Sequence, residues 1–303
     1  MAQMPQPLFV FVQMEFPWAL GPADGRYLMR GRAGGEPERV LVLQTLPGAG
    51  TSATRIMLID PVSLSAEHQA RAWLDDVERE PEPALDDAMA LVNRVLFLHR
   101  LAVADPRLHA VAHLQVRAIR AGWGTGEELA SGRWTHASEL PAPEPARERR
   151  GLLGRPSRRA RTKALGGQER LAALLGARSQ ALICEELALR ARLDLDDGRV
   201  AHAALELDSA LTAAIRELRG ERREDLALRI DELDQLHAGV AAQARAVLPA
   251  TDSAEDVASP AEPSADHDRD GLPDEQLLAH ALGRLEAALR ARSAGGAMRR
   301  RRG

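Results

Sequence analysis

The chain reads as an α+β protein: a small, mostly antiparallel sheet with covering helices in the N-terminal half, then an all-α antiparallel helical hairpin or bundle. Three observations predict this. All nine aromatic residues lie at or before Trp134, and aromatic side chains carry the largest apolar area, so the mixed, well-specified core belongs to the first half. The same half opens with short runs rich in β-branched and aromatic residues, separated by clusters of Gly, Pro and Asp. Beyond residue 166 the apolar positions recur at helical spacing, with alanine and leucine supplying nearly all the bulk.

Residues 7–16, 26–31, 38–46 and 54–60 are the four expected strands, and the stretches GPADG, AGGEP and PGAGTS between them carry turn chemistry, so a meander is the economical arrangement. A helix over 65–80, with Ser65 as N-cap, presents Ala70, Trp73, Leu74 and Val77 on one side. A second, over 84–104, places Leu91, Val95, Leu98 and Leu101 at helical spacing. Asp105 and Pro106 then start a third helix, which Gly122 is positioned to end. The following GWGTGEELASGRWTHASELP wraps back on this head, residues 1–141. Residues 142–166 carry eight basic and two acidic side chains with three prolines and no apolar period, the composition of a disordered basic linker.

Helices are expected over 167–197, 199–219 and 221–248, forming a three-helix antiparallel bundle over 167–248. Leu226, Ile230, Leu233, His237 and Val240 form a heptad seam continued by Ala244 and Val247, and Leu207, Leu211, Ile215 and Leu218 form a comparable stripe. Residues 249–272 are expected to be a disordered acidic linker. A last helix over 273–292 shows Leu278, Leu282, Leu285 and Leu289 and can dock on the bundle or on a partner. Residues 293–303 form a disordered basic tail.

Composition bounds the function classes. Lys163 is the only lysine and Asn93 the only asparagine, the mark of a GC-rich coding sequence, so abundant arginine says little about nucleic acid. Net charge is −4, and the single cysteine, Cys184, has no intramolecular disulfide partner, which fits a reducing compartment. Gln13 and Glu15 break the N-terminal apolar run, the basic region of a signal peptide is missing, and no segment reaches the length of a membrane span; a cytoplasmic protein is expected.

Candidate chemistry is sparse. PGAGTS at 47–52 lacks the lysine and spacing of a phosphate loop and precedes a strand, so it reads as a hairpin loop. His109 and His113 stand four apart on the expected third helix, the spacing at which two imidazoles share a metal, with His99 and His136 as further ligands; the glutamate of H-E-x-x-H is missing. Asp266, Asp268, Asp270 and Asp274 match part of an Asp-rich calcium loop, but Leu277 stands where the bidentate glutamate belongs. No cofactor is expected, with calcium or a transition metal as the alternative at these two places. Glu127, Glu128, Arg133, Trp134 and His136 form the densest cluster of catalytic types, with Glu128 or His136 as acid/base and Arg133 as anion clamp in a pocket lined by Trp18, Trp123 and Trp134. Each has an ordinary structural role open to it. The tracts Arg147–Lys163 and Arg299–Arg302 can neutralise phosphates but have no interleaved aromatics, and Ser157 between arginines is a place for a phosphate.

The phrases FVQMEFPWALGPADGRYLMR and AGWGTGEELASGRWTHASELP, in this alanine-rich, arginine-for-lysine context, resemble a group of conserved proteins of GC-rich actinobacteria. The resemblance spans the first 141 residues. It implies a cytoplasmic bacterial protein and no particular activity. The leading expectation is a non-enzymatic adaptor whose helical surfaces bind itself or another protein. A ligand-binding or enzymatic head is the alternative, and nucleic-acid association through the arginine tracts is a further one.

Overall fold

A computed structural model of the chain describes residues 6–47, 52–141, 158–248 and 273–300, with 158–165 and 295–300 described as backbone only. Two compact units divide it, one built from residues 1–104 and 108–180 and the other from 105–107 and 181–303. Among the described residues no helix is long and apolar enough to cross a membrane.

The first unit is organised by a six-stranded antiparallel sheet. Its strands are β1 (Leu8–Phe16), β2 (Gly25–Met29), β3 (Arg39–Leu46), β4 (Ala53–Ile59), β5 (Ala118–Thr125) and β6 (His136–Leu140), in the order β2-β3-β4-β1-β5-β6. The first four match the expected runs to within two residues. The simple meander does not hold, because β1 leaves β2 and pairs with β4 and β5, putting the most apolar strand in the middle of the sheet. β3 and β4 pair up to Leu46↔Ala53, so the PGAGTS stretch joins a hairpin; its residues 48–51 lie outside the described residues.

Side chains alternate across a strand, and both faces of this sheet are used. Val10, Val12, Met14 and Phe16 of β1 join Leu41, Leu43, Ile56, Leu58, Ile119 and Trp123 in the main core. That core is closed by α1 (Glu67–Arg79), through Ala70, Leu74 and Val77, and by α2 (Glu82–Val103). The expected α2 stripe is too narrow: Ala88, Met89, Val92, Leu96 and His99 are buried along with Val95 and Leu101. Ser65 does not cap α1. Ala66 stands at the N-cap, while the Ser65 backbone N–H and hydroxyl both bond the Gln69 side chain.

The third expected helix is absent from the structure. Asp105 accepts the Arg107 N–H at 2.9 Å and forms a local turn, and a single 3-10 turn spans His113–Gln115. The chain then enters β5. Gly122 ends no helix: a Cβ there would lie 2.2 Å from the His136 carbonyl oxygen and 2.7 Å from Ala137 Cα, so glycine is what lets β5 and β6 approach. Between these strands runs α3 (Gly126–Ala130).

The expected helix over 167–197 is two helices. α4 (Arg158–Leu175) ends at a turn carrying Gly176 and the left-handed Ala177, and α5 (Ile183–Asp196) starts afresh. α4 belongs to the first unit, where Leu171 and Leu175 are 0% and 1% exposed in the main core. Its first turns also make helix of residues 158–166, which the composition assigned to a disordered linker; residues 142–157 lie outside the described residues.

The second unit is a four-helix assembly of α5, α6 (Val200–Gly220), α7 (Ala227–Val247) and α8 (Glu275–Arg300). One core runs through it. Ala203, Leu207, Leu211, Ile215 and Leu218 of α6 meet Ile230, Leu233 and Val240 of α7 and Leu278, Ala281, Leu282, Leu285 and Ala288 of α8. α8 continues past the expected end at 292 as far as Arg300, so most of the expected disordered tail is helix by backbone. Residues 249–272 and 301–303 lie outside the described residues.

Candidate functional site

The head's second sheet face carries its candidate site. The β5–β6 connection folds over Phe11, Val42, Met57 and Ile59, adding Leu129 at 0% exposure and the packed ring of Trp134. Thr125 and Glu128 form a capping box at the start of α3. The Thr125 N–H and hydroxyl and the Thr135 hydroxyl all donate to Glu128 Oε2, at 2.9, 3.1 and 2.8 Å, while the Glu128 N–H donates to Thr125 Oγ1. The Thr125 N–H, then the Thr135 hydroxyl, hold the Glu128 carboxyl below the usual carboxylate range, with Arg133 adding attraction. An acid kept ionised by such fixed donors is a poor proton shuttle near neutral pH.

Gln6, Thr125, Glu127, Glu128, Arg133 and Trp134 line a recess of about 380 Å³ that is open to solvent. It brings together Glu128, Arg133 and Trp134 and leaves out the other expected members. Trp123 lies on the helix-covered face, 1% exposed, with His136 stacked on it at 4.5 Å between centroids. Trp18 packs edge-on against Phe16 at 6.2 Å. The expected pocket of three tryptophans does not form: Trp123, on β5, and Trp18 pack in the helix-covered core, whereas Trp134, in the irregular connection ahead of β6, packs with Phe11, Val42, Met57, Ile59 and Leu129 in the cluster on the other face.

Beside the recess, a charged row crosses the same face. Glu15 Oε1 accepts from Arg55 Nε and Nη2 at 3.1 and 2.8 Å and from Arg120 Nη1 at 2.9 Å. Burial pushes the Glu15 carboxyl up, but Arg55 and Arg120 outweigh it and hold it below the ordinary range. Arg55 also lies 5.8 Å from the Trp134 ring centroid. This row is missed when the strands are read singly. Its signal is the polar pair Gln13 and Glu15 interrupting an apolar run, and cross-strand register is needed to add Arg55 and Arg120.

His109 and His113 share no helix; His113 Nε2 is 3.2 Å from Asp86 Oδ1, and His99 is buried against Gly21. Among the described residues no three His, Cys, Asp or Glu side chains converge as metal ligands would. Asp266, Asp268 and Asp270 lie outside the described residues, and Asp274 caps α8, accepting the N–H groups of Gln276 and Leu277 at 2.9 and 3.1 Å. Of the arginine tracts, residues 147–157, Ser157 among them, and residues 301–302 lie outside the described residues.

In the second unit the seam residues Leu226, Ile230, Leu233 and Val240 are at most 5% exposed, turned into the unit's own core. His237 Nε2 meets both Thr212 Oγ1, at 3.1 Å, and Asp208 Oδ1, at 3.0 Å. A catalytic relay would use both ring nitrogens, so this contact ties α6 to α7. Cys184 is buried, and burial with the adjacent Glu217 pushes its thiol pKa far up; Glu217 also accepts the Ile183 and Cys184 N–H groups at 2.9 and 3.1 Å. A nucleophilic role would need the opposite shift.

No protein-family model, curated protein or solved structure matches this chain.

Proposed function

We propose that the chain is a non-enzymatic cytoplasmic adaptor that acts through helical protein–protein contacts and needs no cofactor. One observation carries this reading. α8 lays Leu278, Ala281, Leu282, Leu285 and Ala288, all 0% exposed, against the other helices of the second unit, with charged partners along the same contact. This is how helix-in-groove recognition is built, from apolar anchors at helical spacing with flanking ion pairs that set register. The head's acid/base candidates are engaged elsewhere, Glu128 in its capping box and His136 on Trp123, which lowers the weight of an enzymatic head.

The test is native mass spectrometry with crosslinking on gently purified protein. A protein complex crosslinked through the second unit is the expected result. A monomer that retains a small molecule or metal and crosslinks to no protein would overturn the proposal. It would move the function to the head recess, whose gathering of Glu128, Arg133 and Trp134 favours a ligand site as the second reading.

A further inference from the structure

The connections of the second unit are unequal. α5 passes to α6 through residues 197–199 and α6 to α7 through 221–226, whereas α7 reaches α8 only through 248–274. Three helices are thus local neighbours in the chain, and the fourth arrives from a distance. Its apolar residues pack into one core with α5, α6 and α7, and its polar contacts form a register code. Arg284 meets Glu232 of α7 at 2.5 Å, Glu286 meets Arg192 of α5 at 2.9 Å, and Arg292 meets Glu221 at 2.5 Å and Glu185 at 3.3 Å. Arg223 Nη1 donates to the Arg292 carbonyl at 2.8 Å. Glu185 and Arg292 keep 5% and 13% side-chain exposure, so the end of the code is sheltered from solvent.

We propose that α8 is a separable arm, held in a groove that α5, α6 and α7 keep formed, and that the partner this groove fits is α8 of a second copy of the chain. This rests on the adaptor reading and names its partner. A second copy presents the same leucines and the same charges in the same order, so exchanging arms restores every contact of the closed form. Such an exchange is a low-cost route to a two-fold dimer, because no new surface has to arise. Within one chain the arm is favoured by its own tether, which raises its local concentration over that of a second copy.

The test uses the full chain carrying Leu282→Asp and Leu285→Asp, with a synthetic peptide of native residues 273–294 as the probe. Hydrogen exchange is expected to lose protection in α8 while α5, α6 and α7 keep theirs. The peptide is expected to bind this variant at least about ten-fold more tightly than the wild type, whose own arm competes. A second pair of variants avoids apolar disruption: Arg284→Glu with Glu286→Arg alters the arm, and Glu232→Arg with Arg192→Glu alters the groove. Mixed, they are expected to give a one-to-one heterodimer in native mass spectrometry that neither gives alone. Loss of protection in all four helices together, a protected groove that ignores the peptide, or a mixture that stays monomeric would each overturn the proposal. None of these touches the adaptor reading, which fails only by its own crosslinking test.

Discussion

At the scale of single residues, two positions hold the head together for different reasons. Gly122 leaves room for the β6 backbone, and Gly122→Ala must push His136 and Ala137 away. We expect that substitution to destabilise the head by about 1–3 kcal/mol, read from urea denaturation followed by tryptophan fluorescence; a change below about 0.5 kcal/mol would show that the strands give way freely. Glu15 holds two arginines whose side chains are 23% and 25% exposed. Removing its charge with Glu15→Gln is expected to destabilise by about 1–2 kcal/mol at neutral pH, less than for a fully buried pair. The sign with pH follows from its lowered pKa in the folded state: the contribution is present above the ordinary carboxylate range and is lost as pH falls through the folded value. Wild type and Glu15→Gln should therefore converge in stability toward acid. A gap that stays constant with pH would mean that Glu15 acts by shape alone.

Elements show where local signals mislead. Residues 105–122 carry a helix-start signal at Asp105 and Pro106 and a stop signal at Gly122, yet the chain makes only a local turn and one 3-10 turn before β5 begins at Ala118, because a strand there pairs with β1 on one side and β6 on the other. Pairing partners more than a hundred residues apart outweigh local propensity. α4 is the second case. Its leucines suit a bundle as well as a head, and only the shape of the head's core selects the head. Leu171→Ala is expected to cost about 2–5 kcal/mol and to move the tryptophan transition of the first unit. If it moved the unfolding of α5–α8 instead, the assignment of α4 would be wrong.

The whole molecule offers a natural separation of probes. All four tryptophans lie in the first unit, and the single cysteine lies in the second. Cys184 is fully buried and its thiol pKa is raised by burial and by Glu217, so a thiol reagent should modify it only as the second unit opens. Gly122→Ala is expected to lower the midpoint of the tryptophan transition and to leave the rate of Cys184 labelling unchanged. Parallel shifts in both would show the two cores to be one cooperative unit.

By itself the sequence determined the α+β class, the first four strands to within two residues, the covering helices α1 and α2, and the leucine stripes of the bundle. These are written in local periodicity and turn chemistry, which neighbouring residues settle among themselves. It also gathered Glu128, Arg133 and Trp134, which are close because they share one short connection. Tertiary structure alone decided the place of β1, the strand at 118–125, the membership of α4 and the burial of the 226–240 seam under the chain's own helices. The Glu15, Arg55 and Arg120 row is of the same kind. Each depends on which distant segment lies alongside, and a pairing of that sort is set by the shape and charge of a partner surface that does not exist until the chain has folded.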